Sequence, residues 1–283
     1  DKVAFTGSVE VGRSIGEACA TLMRPVTLEL GGKNPVVVAP GQGHADIERA
    51  AARIATARMV NGGQVCVCPD YVLVPRNRVD GFVAAYREAV TRFYPKLQDN
   101  PDYTAIINER QLQRLKGLLS DAENQGAKVI NLYPEAQGRR LPHAVLLEVN
   151  DDMTIMQDEI FGPLLPIVPY DTLEQAFAYI NQRPRPLALY YFGYNKAEQQ
   201  RVLEQTHSGG VCLNDTMLHV AQDDMPFGGV GPSGMGHYHG HEGFKTFSHA
   251  KGTFIKQRFN AARMIYPPYG KAIQKLVYKL FIR

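Results

Sequence analysis

Short β-branched runs alternate with longer stretches of helical period along this chain, and that alternation restricts its fold more than any other feature. Val3-Ala4-Phe5 passes through the Gly7-Ser8 turn into residues 9–22, where Val11, Ile15, Ala18 and Leu22 share one helical face. Pro25 closes that element. Val26-Thr27-Leu28-Glu29-Leu30 then reads as a strand, as does Val36-Val37-Val38 after Asn34-Pro35. Between residues 46 and 60, Ile47, Ala51, Ile54, Ala55 and Met59 return at helical spacing until Asn61-Gly62 supplies the stop. The same logic predicts strands at 71–75, 126–130, 144–149, 164–168 and 187–192, and helices at 79–94, 109–124, 173–181 and 196–206. Parallel strands need crossovers of this length, so the pattern predicts an α/β fold with a mostly parallel sheet.

Composition removes several function classes. With 283 residues, 45% of them hydrophobic, the chain has material for a large core in more than one layer. A formal charge of +3, dispersed along the sequence, gives no electrostatic footprint for nucleic acid. No run of about 18 apolar residues suggests a membrane span. Cys19, Cys66, Cys68 and Cys212 in a chain of this size read as reduced thiols of a cytoplasmic protein rather than a disulfide framework. His237, His239 and His241 alternate without companion ligands, so no metal site is expected.

Four separated motifs carry chemistry. In Asn61-Gly62-Gly63-Gln64-Val65-Cys66 a glycine turn after a helix is able to present sulfur to a cleft, which makes Cys66 either a nucleophile or a buried small hydrophobe. Cys68 is the rival thiol, and Cys19 and Cys212 read as core. In Glu29-Leu30-Gly31-Gly32-Lys33 a carboxylate flanked by leucines leads into glycines that permit close backbone approach, so Glu29 is a base or an ion-paired strand end. Gly7, Ser8 and Gly12 lie where a strand turns into a helix, a place where backbone can approach a cofactor, although the spacing departs from Gly-x-Gly-x-x-Gly. Glu159-Ile160-Phe161-Gly162-Pro163 offers a carboxylate for ribose hydroxyls and a ring to pack beside a nicotinamide, or is simply a surface turn.

In this order, the four motifs resemble the aldehyde dehydrogenase superfamily over residues 5–249. The resemblance implies Cys66 as nucleophile, with its own N–H as first oxyanion donor, and Glu29 as the base for deacylation. It implies Gly7, Ser8, Gly12, Leu30, Glu159 and Phe161 around an NAD cofactor (NADP as the alternative), and Phe227, in the glycine-rich loop 226–236, as a wall of the substrate funnel. Ser208–Asp215, Thr246-Phe247-Ser248-His249 and Tyr266-Pro267-Pro268-Tyr269-Gly270 resemble the class 3 branch, and 183–193 with 219–224 resemble its bacterial members acting on coniferyl aldehyde. An aromatic aldehyde oxidised to its acid is therefore the expected substrate.

The family's cofactor domain lies mostly before the point that matches Asp1. The expected organisation is thus the C-terminal part of a longer enzyme: 1–30 a remnant of the NAD(P)-binding domain, 31–247 catalytic, 248–257 an oligomerisation strand, and 258–283 a tail. In the tail Ile273, Leu276, Val277, Leu280 and Phe281 form a stripe, with Lys271, Lys275, Lys279 and Arg283 mostly off it. A homodimer is expected, its strand at 251–256 exchanged and the helix packed on protein; contact with an anionic membrane is the alternative. Transfer of the acyl group to another acceptor, an inactive remnant or binding module, and a cysteine hydrolase are the rival functions. Glu29 favours hydrolysis over acyl transfer.

Overall fold

A computed structural model of the chain describes residues 1–134 and 137–281. Those residues form two units, 1–247 and 248–283. In the first, β1 (Val3–Thr6), α1 (Val9–Thr21) and β2 (Val26–Glu29) are followed by β3 (Pro35–Val38), α2 (His44–Met59), β4 (Tyr71–Pro75) and α3 (Val79–Phe93). Next come α4 (Glu109–Asn124), β5 (Lys128–Asn131), β6 (Ala144–Leu147), α5 (Thr154–Gln157), β7 (Leu164–Tyr170) and α6 (Leu173–Asn181). The unit finishes with β8 (Ala188–Phe192), α7 (Lys196–Gln205), β9 (Gly210–Leu213), β10 (Gly234–Met235) and α8 (Gly240–Thr246).

Seven strands build the main sheet in the order β5-β6-β7-β4-β3-β8-β9. Every pairing is parallel except that of β5 with β6 at one edge. The three valines of β3 lie at the centre with no exposed surface, as a strand covered on both faces requires. Successive side chains point to opposite faces, so the valine-rich runs supply two cores at once. Val36, Val38, Val72, Val74, Tyr190 and Phe192 pack with α2 and α3, while Val37, Leu73, Leu189 and Tyr191 pack with α4, α6 and α7. A second sheet, β1-β2-β10, pairs β1 parallel and β10 antiparallel to β2.

Four of the helices, α1, α4, α6 and α7, begin where their sequences offer side-chain acceptors. Ser8 caps α1 through Val11, Asn108 caps α4 through Gln111, and Asn195 caps α7 through Ala197. Sequence reasoning missed α5, β9, β10 and α8: they are short, and held by pairing or packing rather than by period. Among the described residues no helix is long and apolar enough to cross a membrane.

The second unit holds α9 (Ala272–Phe281) and a short 3-10 turn at Ala261–Ile265. The strand expected at 251–256 is not formed; Phe254 and Ile255 are exposed. A strand is defined by its ladder partner, and a single copy of the chain supplies none at this segment. The tail's stripe does fall on a helix, and Arg283 lies outside the described residues.

Candidate active site

The Cys66 loop begins where α2 ends. Asn61, Gly62 and Gly63 all adopt positive φ (51°, 62° and 76°), a left-handed run that carries the chain sharply away from the helix axis. A Cβ on Gly63 would sit 2.3 Å from the carbonyl oxygen of Gly162, so the glycine lets this loop close directly on the Glu159–Pro163 motif. Gln64 braces the turn: its amide donates to Asn61 and Ala105 carbonyls, and its oxygen accepts from the Ile107 N–H at 2.9 Å. Cys66 then stands half-buried, facing a cavity of about 510 Å³. Thr6, Gly7, Ser8, Glu29, Leu30 and Phe161 are among the residues that line it.

Glu29 enters the same cavity from the end of β2, paired in register with Thr6 of β1. It is 2% exposed. Its Oε1 accepts the Gly31 N–H at 3.0 Å, with Cys66 and Thr6 among its polar neighbours. Burial raises its pKa, and those contacts only partly oppose the rise. Glu159 reaches the cavity from the loop after α5. Its Oε1 accepts the Gly32 N–H at 3.2 Å, and burial, reinforced by the nearby Asp70 charge, pushes it up to about 8. The Cys66 thiol is pushed up to about 12, first by burial and then by the two carboxylates. Sulfur therefore rests as a thiol beside a carboxyl group able to take its proton.

Cys68 turns the other way. It is 3% exposed, its sulfur set against the Arg58 guanidinium and the Ala57 carbonyl at 3.4 Å each, and it does not line the cavity. The structure thus separates two thiols that differ by only two positions in sequence. Cys19 and Cys212 are buried, the latter against His219.

The remaining expected residues divide. Gly7, Ser8, Leu30 and Phe161 line the cavity, and Phe161, at a φ of 50°, keeps an exposed ring. Gly12 does not: it lies on the buried side of α1, where a Cβ would come within 2.2 Å of a Leu30 methyl. Its small size seats the helix on Leu30 and brings no backbone to the cavity. Phe227 does not line this cavity either. It is 4% exposed, stacked on His239 at 5.4 Å and edge-on to Tyr238 at 5.6 Å, because the loop's antiparallel bridge to Tyr238 folds its ring into the core.

Three supporting residues gave no signal on their own in the sequence. Asp70 accepts from Lys33 Nζ at 2.7 Å, from Arg58 at 3.2 Å and from the Ile160 N–H, tying the Glu159 loop to β4. Arg114 of α4 donates to the carbonyls of Glu159 and Ile160 from the other side. Asn34 holds the Cys66 loop from beneath. Lys33 ends the Glu29 motif, Asn34 follows it and Asp70 lies two residues after Cys68, so proximity to motifs was the available clue; Arg114 had none.

The cavity suits a nicotinamide dinucleotide. Gly31 and Gly32 leave backbone room beside Glu159, since a Cβ on Gly31 would meet its carboxylate at 2.6 Å. That carboxylate spends only one protein hydrogen bond, and an open aromatic ring stands next to it. No group of three or more potential metal ligands occurs among the described residues.

Comparison with known proteins converges on one family. The family model described as "Aldehyde dehydrogenase family" matches residues 1–253. A probable coniferyl aldehyde dehydrogenase of Pseudomonas aeruginosa is 67% identical over all of this chain, which covers 59% of that relative. The substrate-bound AldH of Staphylococcus aureus is 39% identical, with a TM-score of 0.89 over 99% of this chain and 60% of its own. An aldehyde dehydrogenase of Mycobacterium tuberculosis complexed with NAD+ is 30% identical, with a TM-score of 0.82 over 92% of this chain and 54% of its own. The chain spans about three fifths of the length of the curated relatives it matches.

Proposed function

This chain belongs to the aldehyde dehydrogenase family, and on that premise we propose that it carries the chemistry of an enzyme oxidising an aromatic aldehyde, such as coniferyl aldehyde, to its acid. NAD is the proposed acceptor, with NADP as the alternative. The observation that supports the reading is convergence: Cys66, Glu29, Glu159 and Phe161, from distant parts of the sequence, line one cavity.

Glu29 takes the thiol proton as the Cys66 sulfur attacks the aldehyde carbon, and the oxygen of the thiohemiacetal faces the Cys66 N–H. Glu159 and Phe161 would hold the ribose and the ring of the cofactor, which supplies the hydride acceptor when bound. Cys66 then carries a thioester. Glu29, having passed its first proton to solvent, takes one from water; the hydroxide adds to the thioester carbonyl, the C–S bond breaks to release the acid, and the Cys66 sulfur takes the proton back from Glu29. A carboxylate whose pKa burial raises is a stronger base than a solvated one, which suits it to both proton transfers.

Two copies of the chain, in the cytoplasm, complete the proposal. The unpaired segment 251–256, with Phe254 and Ile255 exposed at its middle, is what an exchanged strand would bury. Truncation before Ala250 should convert a sedimenting dimer into monomers or aggregates; a stable truncated dimer would sink strand exchange. The activity itself is tested by following absorbance of reduced cofactor with a panel of aldehydes, using an enzyme of the relatives' length that carries these residues. Reduction with coniferyl aldehyde, at a 1:1 yield of acid, is expected. Reduction that depends on added coenzyme A would instead identify an acyl-transferring enzyme, and none with any aldehyde would overturn the reading.

A further inference from the structure

Cys66 sits in a tight turn closed by the Cys68 N–H on the Val65 carbonyl at 2.9 Å. That bond fixes the peptide plane before Cys66, with its own N–H turned out of the turn and towards its sulfur. Nothing in the turn itself fixes the plane that follows. Asn34 does so from the layer below. Its Nδ2 donates to the carbonyl of Cys66 at 2.8 Å and to that of Cys68 at 3.0 Å, while its Oδ1 accepts the N–H of Ala188 at 2.8 Å. Its main-chain carbonyl also accepts the Asp70 N–H at 2.8 Å. Residue 34 is 1% exposed, and both amide protons and the amide oxygen are engaged. The intervening Val67 carbonyl is held by the Tyr190 hydroxyl. Three successive carbonyls are thus drawn down onto β3 and β8, at the rigid centre of the main sheet.

We propose that Asn34 is a positioning residue for the nucleophile: by holding the Cys66 and Cys68 carbonyls against Ala188 it sets the backbone dihedrals of Cys66, and so aims the sulfur and the Cys66 N–H into the cavity together. A nucleophile and an oxyanion donor that share one residue keep a common aim only if both peptide planes at that residue are fixed. The turn fixes one plane and the asparagine the other. A shorter side chain at 34 would leave the turn closed but free to roll about the Cys66 backbone. Reorientation of about 1 Å at a reacting atom is enough to lose two orders of magnitude in rate.

This inference rests on the proposed role of Cys66, and its test has two arms so that the two ideas fail separately. In the 283-residue chain, each cysteine is alkylated with iodoacetamide at pH 8 and the rates are read peptide by peptide. Asn34→Ala should speed labelling of Cys66 about tenfold, because the rolled thiol leaves its buried seat between two carboxylates. Cys19, Cys68 and Cys212 should keep their rates. In the enzyme of full family length, the burst of cofactor reduction should slow about 10²-fold with little change in KM for aldehyde. Asn34→Ser, which keeps one donor, should recover part of both effects. Unchanged Cys66 labelling, or all four cysteines becoming reactive together as in loosened folding, would overturn the positioning role. An unmodified full-length enzyme that reduces no cofactor would overturn the functional reading while leaving the labelling arm intact.

Discussion

Two buried polar clusters meet at the Glu159 loop and treat charge in opposite ways. Lys33, Asp70 and Arg58 form a compensated group: Asp70, buried, accepts from both cations and from the Ile160 N–H. Burial lowers the Lys33 pKa, and the Asp70 charge works against that fall. Glu29, Cys66 and Glu159 form an uncompensated group, with no salt bridge to either carboxylate among the described residues. All three of those pKa values are raised, and burial is the largest cause in each. Pairing holds one cluster's geometry, whereas in the other, with no pairing to offset burial, all three groups are pushed towards their protonated forms.

The sharpest way to break the comparison is to exchange the fates of the two thiols. In the full-length enzyme, Cys66→Ala should cost on the order of 10⁴-fold or more in turnover, while Cys68→Ala keeps most activity because its sulfur faces Arg58. Steady-state assays decide it, and an active Cys66→Ala enzyme would remove the uncompensated cluster from the chemistry. Glu29→Gln comes next, with an expected loss of about 10²–10⁴-fold. Acylation should survive better than deacylation, giving a stoichiometric burst of reduced cofactor and then a slow phase. Absence of any burst would confine Glu29 to activating the thiol.

In the compensated cluster the loss should appear as stability. Asp70→Asn leaves two buried cations without their counter-charge and should cost roughly 3–5 kcal/mol in urea unfolding of the chain. A cost below about 1 kcal/mol would mean the two clusters do not differ in kind.

The smallest effect is a slope. Because burial favours neutral Glu159, the unfolded chain loses this proton near 4.5 while the folded chain keeps it to about 8. The unfolded state thus binds fewer protons across that window, and the contribution of Glu159 to stability falls as pH rises through it. Glu159→Gln should flatten this part of the melting profile, raising Tm at pH 8 by about a few degrees relative to pH 5. His143 has the opposite sign. Burial pushes it down to about 3, so its contribution is complete above 6.5 and is lost as pH falls below that value. Glu159→Gln should leave that acid limb untouched.

What sequence alone determined was whatever rests on local period and local chemistry. The helices at 109–124 and 173–181 fall where their apolar spacing predicts them, the valine-rich runs became central strands, and the four motifs identified the family. The two-residue β10 and the short β9 escaped, because pairing rather than period creates them. Tertiary structure decided which of two neighbouring thiols meets the cavity, since a turn of the backbone between Cys66 and Cys68 sends one sulfur outward and the other under Arg58. It also decided that Gly12 serves packing and that Phe227 serves the core. Asn34 and Asp70 carry no periodic signal: their importance comes from hydrogen bonds to residues 12 to 154 positions away, and only a folded chain brings those partners within 3 Å or so.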